Sequence, residues 1–559
     1  MMDSLATRPT TIKTLKIKKP IKIENVFDHV SKSGYPLWNY QKEGIKWMLE
    51  KEKCGTPIPG RTVFGGLLCD EPGLGKTIQT VSTLYGNPKK KTLIILPNSL
   101  IYQWKTVIEN ILPNKKIYIH YGLNKCSTVR ELISLKFDIL ITTVGMIYKK
   151  TKDPADDCHT ILHHYGNWDR IIFDEVHSIR NSRSKISRMV NDLKSNIKWG
   201  LTGTPIQNSI RDLYSLYKFL NIPKKFLDKE CLVHLNDLLL LRRTKKTFEK
   251  EIQKSNMPKL IEYDHILEYE TESERNAYRI IQKTIEKEYN NIVEDEDLTE
   301  NLKVLAFFEL LIRLRQASVH PKIAINSLSK KFGKTINIYT EHSTKIETIS
   351  NMISKTKNLC LIFCHFREEM KLMAESLKSK NINSRQYHGG LDIKSKNEII
   401  KEFSNSDLDD EIYKTLNMKG LPHKIIDIII DKINKPQVLI IQIKAGGVGL
   451  NLQQFSEVYF TLPDWNPANE IQAIARAHRI GQDKPVIVNR FLMFDQIEEF
   501  STIDQRIAII QRSKRDLMSE ILNDTDLEHK GIVNAKNLKT IKLIEKLNSN
   551  DFHNLLGTS

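Results

Sequence analysis

Two stretches carry residue types able to work on a phosphoanhydride. The first is GGLLCDEPGLGKT, Gly65 to Thr77, an apolar strand followed by a glycine-bearing loop that ends in Lys76 and Thr77. A loop of this kind between a strand and a helix turns backbone N–H groups inward, so that they and the helix N-terminus hold phosphates. Gly73 and Gly75 let the backbone approach, Lys76 reaches the terminal phosphates and Thr77 holds magnesium. Asp70 stands where the simplest form of the pattern has its first glycine. The second stretch is RIIFDEVH, Arg170 to His177, two adjacent carboxylates after an apolar run. Asp174 at the strand's end suits magnesium, through water, and Glu175 is placed to orient and deprotonate the water that attacks the terminal phosphate. The pair of stretches predicts a site for ATP and Mg2+.

Other candidates are arranged around these two. Gln41, in LWNYQKEGIKWM, offers one amide donor and one acceptor, which suits the edge of an adenine, with ordinary helix surface as the alternative. WGLTGTPIQN presents Thr202, Gly203, Thr204 and Pro205 in a hydroxyl-rich turn that can sense the acidic pair. Gly446, Gly447 and Gly449 in QVLIIQIKAGGVGLNL allow close approach to a phosphate of nucleotide or nucleic acid. Gln472, Arg476 and Arg479 are spaced to face one side of a helix, from which arginines can reach across a cleft to the γ-phosphate. Cys158, His159, His163 and His164 form a dense cluster that reads as a polar loop, and no zinc is expected.

The elements that must hold these residues follow from length and periodicity. A chain of 559 residues exceeds one hydrophobic core, so two or more domains are expected. Strands at Leu93 to Leu96, at FDILITTVGMI running into Thr142 and Thr143, and at RIIFDEVH alternate with helical patterns. Such alternation predicts a parallel sheet whose ligands lie beyond the carboxyl ends of the strands, which makes the loops there the working surface. The pattern turns helical from about 249 to 320. A second α/β pattern starts at NLCLIFCHF, with Cys360 and Cys364 on one face of the strand. The expected division is a basic segment 1–30, a first lobe 31–248, a helical insertion and linker 249–335, a second lobe 336–515 with an insertion at 404–436, and a C-terminal helical segment 516–559. In that last segment Ile541, Leu543, Ile544 and Leu547 form an apolar stripe.

A net charge of +18 favours a polyanionic partner, nucleic acid before membrane. No apolar run approaches the ~18 residues that span a bilayer. The absence of an apolar N-terminal segment predicts an intracellular protein whose seven cysteines are thiols.

In order and wording, YQ, DEPGLGKT, DEVH, LTGTPIQN, LLRRTK, LRQASVHP, AGGVGLNL, DWNP and RAHRIGQ resemble the Swi/Snf-like ATPases of helicase superfamily two, from Leu37 to about Phe500. The wording looks most like the branch of DNA-repair and transcription-termination translocases. The resemblance implies an α/β fold of two RecA-like parallel-sheet lobes, the P-loop NTPase fold with helical insertions. It implies ATP between the lobes and double-stranded DNA across both. It puts Gln41 at adenine, Lys76 and Thr77 at the phosphates and magnesium, Asp174 at the metal, Glu175 at the water, and Arg476 with Arg479 at the γ-phosphate. Gly449 and Gln472 join the nucleotide set. The turns after Pro97, Thr142, Thr143 and Phe363, with Gly446 and Gly447, would grip one DNA strand. Pro72 replaces the methionine usual before GLGKT, and Lys396 stands where arginine is commoner. His320 to Thr344 holds no cysteine, so a zinc-binding RING and its ligase activity are not carried over.

The expected activity is a DNA-dependent ATPase that moves along duplex DNA and strips or shifts bound proteins, in a nucleus or a viral factory. A strand-separating DNA or RNA helicase and an ATP-gated scaffold for transcription machinery are the alternatives.

Overall fold

A computed structural model describes residues 22–149, 158–207, 209–227, 229–245, 258–332, 340–403, 422, 436–446, 450–479, 481–495 and 501–522. The first sheet is built from β1 (Thr56–Ile58), β2 (Arg61–Leu68), β3 (Thr92–Leu96), β4 (Ile117–His120), β5 (Ile139–Thr143), β6 (Trp168–Asp174), β7 (Ser195–Leu201) and β8 (Leu240–Leu241). Their spatial order is β1-β2-β7-β6-β3-β5-β4, with β8 on β2. Only the β1–β2 hairpin is antiparallel among these pairings.

Residue alternation explains why this sheet is covered on both faces. Leu93, Ile95, Ile171 and Phe173 enter one core cluster, while their neighbours Ile94, Leu96 and Ile172 enter another on the opposite face. Successive strand side chains point to opposite faces, so a run of apolar residues needs helices on each side. Each such side chain contributes about 1.5–3 kcal/mol on full burial. One polar group interrupts the core: the Glu52 carboxylate takes Arg170 Nε at 2.6 Å, the Arg170 Nη2, Trp199 Nε1 at 2.8 Å and Asn87 Nδ2 at 2.7 Å. With four donors, this buried charge has the partners that its burial requires.

The second sheet comprises β9 (Leu260–Leu267), β10 (Cys360–Cys364), β11 (Ser384–Tyr387), β12 (Val438–Gln442), β13 (Glu457–Phe460) and β14 (Val486–Met493), in the order β11-β12-β10-β13-β14-β9 with every pair parallel. Cys360, Ile362 and Cys364 face one core cluster and Leu361 and Phe363 the other.

β9 departs from the sequence reading, which made this stretch helical. Its eight residues pair along the whole of β14 as an edge strand, most of its side chains are exposed, and it therefore lacks the apolar signature of the buried strands. The helices that follow, Glu272–Glu294 and Glu300–Val319, do match the helical expectation. Tyr278, Ile281, Ile285, Phe307, Leu310 and Leu314 pack there with Ile503 and Ile507 of the helix Ile503–Leu522. The basic segment up to residue 21, all of the 404–436 insertion except residues 422 and 436, and the apolar stripe from Ile541 to Leu547 lie outside the described residues.

Candidate active site between the lobes

The carboxyl ends of β2, β6, β7 and β8 lie side by side, and each delivers one motif. After β2 the loop passes through Gly73 and Gly75 into the helix Lys76–Gly86, with Gly75 as its left-handed N-cap at φ 78°. A side chain at Gly75 would be strained by that φ, and its Cβ would come within 2.4 Å of Gln41 Nε2. Lys76 Nζ donates to the Asp70 carbonyl at 2.7 Å, across the concavity of the loop.

Asp70 has a role that the sequence did not disclose. Its carboxylate is fully buried and accepts from Arg243 Nε at 2.8 Å, from Arg243 Nη2 and from Gln79 Nε2 at 3.0 Å. Arg243 also donates to Gln79 Oε1 at 2.7 Å and to the Tyr40 carbonyl. The LLRRTK segment thus clamps the first residue of the phosphate loop to the helix behind it. The only signal in the sequence was Asp70's departure from glycine.

Gln41 lies against the loop with both ends of its amide engaged. Its oxygen accepts from the Trp38 N–H at 3.1 Å and its nitrogen donates to the Leu74 carbonyl at 3.2 Å, leaving one N–H and one lone pair for a base.

At the end of β6, Asp174 accepts from Trp104 Nε1 at 3.0 Å and from the Glu175 N–H at 2.9 Å. Glu175 adopts a left-handed backbone at φ 52°, an unusual state for a residue with a long side chain, at the turn that aims its carboxylate. Glu175 Oε2 lies 3.1 Å from His177 Nδ1, which is 3.0 Å from the Thr202 hydroxyl. His177 therefore links the acidic pair to the turn after β7, a connection that its place in DEVH alone did not reveal. Burial and then the Glu175 charge push the Asp174 carboxyl up to about 6. For Glu175 burial acts upward, but His177, 3.1 Å away, and the positive charges of Lys76 and Arg476 outweigh it and hold the carboxyl down to about 2. Two crowded, desolvated carboxylates within the field of Lys76, next to Thr77 in the chain, are a donor set that fits a hard divalent cation such as magnesium.

The second lobe presents its residues to the same place. The helix Pro467–Ala477 carries Gln472 and Arg476 one turn apart, but it ends before Arg479, so the three do not share one helix face. Arg479 lies in the segment after the helix, and its Cβ is 3.6 Å from where a Cβ on Gly73 would sit. Arg476 is half-buried, and the desolvation lowers its pKa, while the charges of Glu175 and Asp174 across the cleft act the other way. Gln472 Nε2 donates to the Thr204 hydroxyl at 3.4 Å, and Asn466 Nδ2 donates to Gln207 Oε1 at 2.9 Å. Lys245, following LLRRT, donates to the His478 carbonyl at 2.9 Å. No motif reading had given Lys245 a role.

The residues expected to meet DNA are less uniform. Pro97 follows β3 and leads into the short 3-10 turn Asn98–Leu100. Thr142 and Thr143 are buried inside β5, and the Thr142 hydroxyl donates to the His120 carbonyl at 2.9 Å. Both threonines are thus held within the strand, and the turn Val144–Met146 follows it. Gly446 closes the short helix Ile443–Gly446 after β12, while Gly447 and Gly449 lie outside the described residues. In the histidine cluster, the His163 ring nitrogens meet the Thr160 N–H at 3.1 Å and the Met189 carbonyl at 2.9 Å.

The model of the SNF2-related domain matches residues 40–323, and that of the helicase conserved C-terminal domain matches 344–416 and 408–481. An uncharacterised ATP-dependent helicase of Mycoplasma pneumoniae is 28% identical over 528 residues, an alignment covering 89% of this chain and 43% of the relative. The protein called "Probable global transactivator" of Orgyia pseudotsugata multicapsid polyhedrosis virus is 25% identical over 518 residues, covering 89% of this chain and 93% of the relative. Transcription termination factor 2 of Drosophila melanogaster is 24% identical over 635 residues, covering 88% and 58%. Among solved structures, the Sulfolobus solfataricus SWI2/SNF2 ATPase core in complex with dsDNA is 23% identical and covers 88% of this chain and 94% of that one, with a TM-score of 0.36. The chain spans less than half the length of the mycoplasma helicase that it matches.

Proposed function

The chain belongs to the SNF2-related family of ATPases, and from that premise we propose that it is a DNA-dependent ATPase that translocates on double-stranded DNA and displaces or shifts proteins bound there. The observation that carries this reading is the contact of Gln472 and Asn466, on and capping the second-lobe helix that bears Arg476, with Thr204 and Gln207 of the first lobe.

In the proposed cycle the glycine loop and the helix N-terminus at Lys76 bind the triphosphate of ATP, with the Lys76 ammonium on its terminal phosphates. Thr77 and Asp174 would hold magnesium, which when bound supplies positive charge to the phosphates. Glu175, ionised and aimed by its turn, orients the attacking water and takes up its proton as the bond from the γ-phosphorus to the leaving ADP oxygen breaks. Arg476 and Arg479 neutralise charge that grows on the γ-phosphoryl oxygens, an effect worth roughly 10³ to 10⁵ in rate where such arginines act. Because those arginines come from the opposite lobe, hydrolysis is tied to lobe closure, and closure and reopening would step the lobes along DNA.

Charge and family support duplex DNA as the track. The net charge of +18 suits a phosphate backbone, and a motor that accepts every sequence must rely on backbone contacts, so affinity should fall steeply with salt. The test compares ATPase rates without nucleic acid, with duplex DNA, with single-stranded DNA and with RNA, then measures displacement of a triplex-forming strand. Stimulation by duplex with triplex release is the expected result. Preference for single strands or RNA would replace the reading with a strand-separating helicase. Turnover surviving Lys76→Ala or Glu175→Gln would reject the site.

A further inference from the structure

A cavity of about 460 Å³ lies at the amino-terminal edge of the first sheet, lined by Arg61 to Phe64 where β2 begins and Ser195 to Lys198 where β7 begins. The phosphate loop leaves the other end of β2. At about 3.3 Å per residue, the four residues from Phe64 to the end of the strand at Leu68 put roughly 13 Å between the cavity wall and the start of that loop. The cavity shares no residue with the interlobe site.

Its charge is one-sided. Arg61, Lys89 and Lys198 line it. The one carboxylate in its wall, Glu52, is already engaged by Arg170, Trp199 and Asn87. Lys198 is 2% exposed, and its ammonium donates to Asn221 Oδ1 at 3.2 Å and lies 5.3 Å from the centre of the Phe219 ring. An ammonium has three N–H groups, and a buried one with a single hydrogen-bond acceptor is under-satisfied. Arg61 Nη1 donates to the Asn221 carbonyl at 2.7 Å, which leaves most of its donor fork open. Burial first, and then the Arg61 charge, depress the Lys198 ammonium to about 8, with Asp192 acting weakly in the opposite sense. The Arg61 and Lys198 charges repel one another, and Asp192 offsets that only in part.

We propose that this cavity binds a small phosphorylated anion, with the Arg61 guanidinium and the Lys198 ammonium as its anchors and Lys89 beside them. A guanidinium fork matches phosphate oxygens in pairs, and three cations match a multiply charged ligand better than a single carboxylate. The volume falls within the range of small-molecule sites.

Isothermal titration of the full-length protein, with a Lys76→Ala protein alongside to separate binding at the interlobe site, tests this with three probes: orthophosphate, pyrophosphate and AMP. One equivalent of at least one probe should bind in both. That binding should weaken at least tenfold in Arg61→Gln, a change at an exposed position that leaves the fold intact, and likewise in Lys198→Met, with basal ATPase unchanged in both. Tighter binding of AMP identifies a nucleotide as the ligand, and tighter binding of pyrophosphate a free polyphosphate. Failure of all three probes, or parental affinity in Arg61→Gln, overturns the proposal.

Discussion

The Lys245 ammonium donates to the His478 carbonyl at 2.9 Å and lies 3.3 Å from that histidine's Nδ1, while His478 Nε2 lies 2.9 Å from the Pro258 carbonyl. The Pro258 carbonyl can only accept, so the proton sits on Nε2 and Nδ1 is left to accept from Lys245. This clasp joins the end of LLRRTK in one lobe to the segment carrying Arg479 in the other. A hydrogen bond from a charged group of this kind contributes about 1.5–3 kcal/mol. Lys245→Met should therefore lower duplex-stimulated kcat by roughly 10- to 100-fold, with Lys245→Arg recovering part of the loss. Steady-state ATPase assays check it, and a parental kcat in Lys245→Met would remove the clasp from the mechanism.

The Asp70–Arg243 pair makes a stability prediction. Removing one partner of a buried ion pair leaves the other charge uncompensated, at a cost of about 3–5 kcal/mol. Asp70→Gly, which restores the commoner glycine of the phosphate loop, should lower the melting temperature because Arg243 is stranded. The double variant Asp70→Gly/Arg243→Met should be more stable than Asp70→Gly alone. Thermal denaturation of the parent, of Asp70→Gly, of Arg243→Met and of the double variant decides, and additive losses would contradict the coupling.

Gly44 sits in the middle of the helix Asn39–Lys53, where alanine ordinarily favours the helix by ~0.5–1 kcal/mol. Here the added Cβ would fall 2.0 Å from Gln79 Oε1 and 2.6 Å from Arg243 Nη2. Overlap with the clamp outweighs propensity, so Gly44→Ala should lower stability and weaken ATP binding together. A raised melting temperature would show that the clamp can shift to make room.

Much of this was legible in the residues because local patterns fix it. The apolar runs ending in Thr77's loop, in Asp174 and in Thr202 announce strands that deliver chemistry at their carboxyl ends. Long-range partners carry no such local mark. Arg243 is 173 residues from Asp70, and nothing in LLRRTK states which carboxylate it meets. β9 escapes the pattern because an edge strand, solvated along most of its length, lacks the apolar run that marks the central strands. Spacing puts Arg479 on a helix face because spacing alone does not reveal that the helix stops at Ala477.

Acidification probes a different interior. Burial, reinforced by the charges of Lys322 and His342, holds the His320 imidazole down to about 4 against its ordinary 6.5, with the Glu341 carbonyl acting in the opposite sense. The unfolded chain takes up that proton at higher pH than the folded one. The stabilisation from neutral His320 is thus complete above about pH 6.5 and is lost as the pH falls towards 4. Melting temperature should decline between pH 7 and pH 5, and the decline should be shallower in His320→Gln. Parallel slopes in the two proteins would count against a buried neutral imidazole.

Single-turnover hydrolysis of ATP by Arg476→Ala on duplex DNA bears most directly on the shared active site. A loss of about 10³-fold or more, with ATP affinity kept within a few-fold of the parent, is the predicted outcome. Hydrolysis at the parental rate would mean that the first lobe works alone, and the two-lobe account would fail.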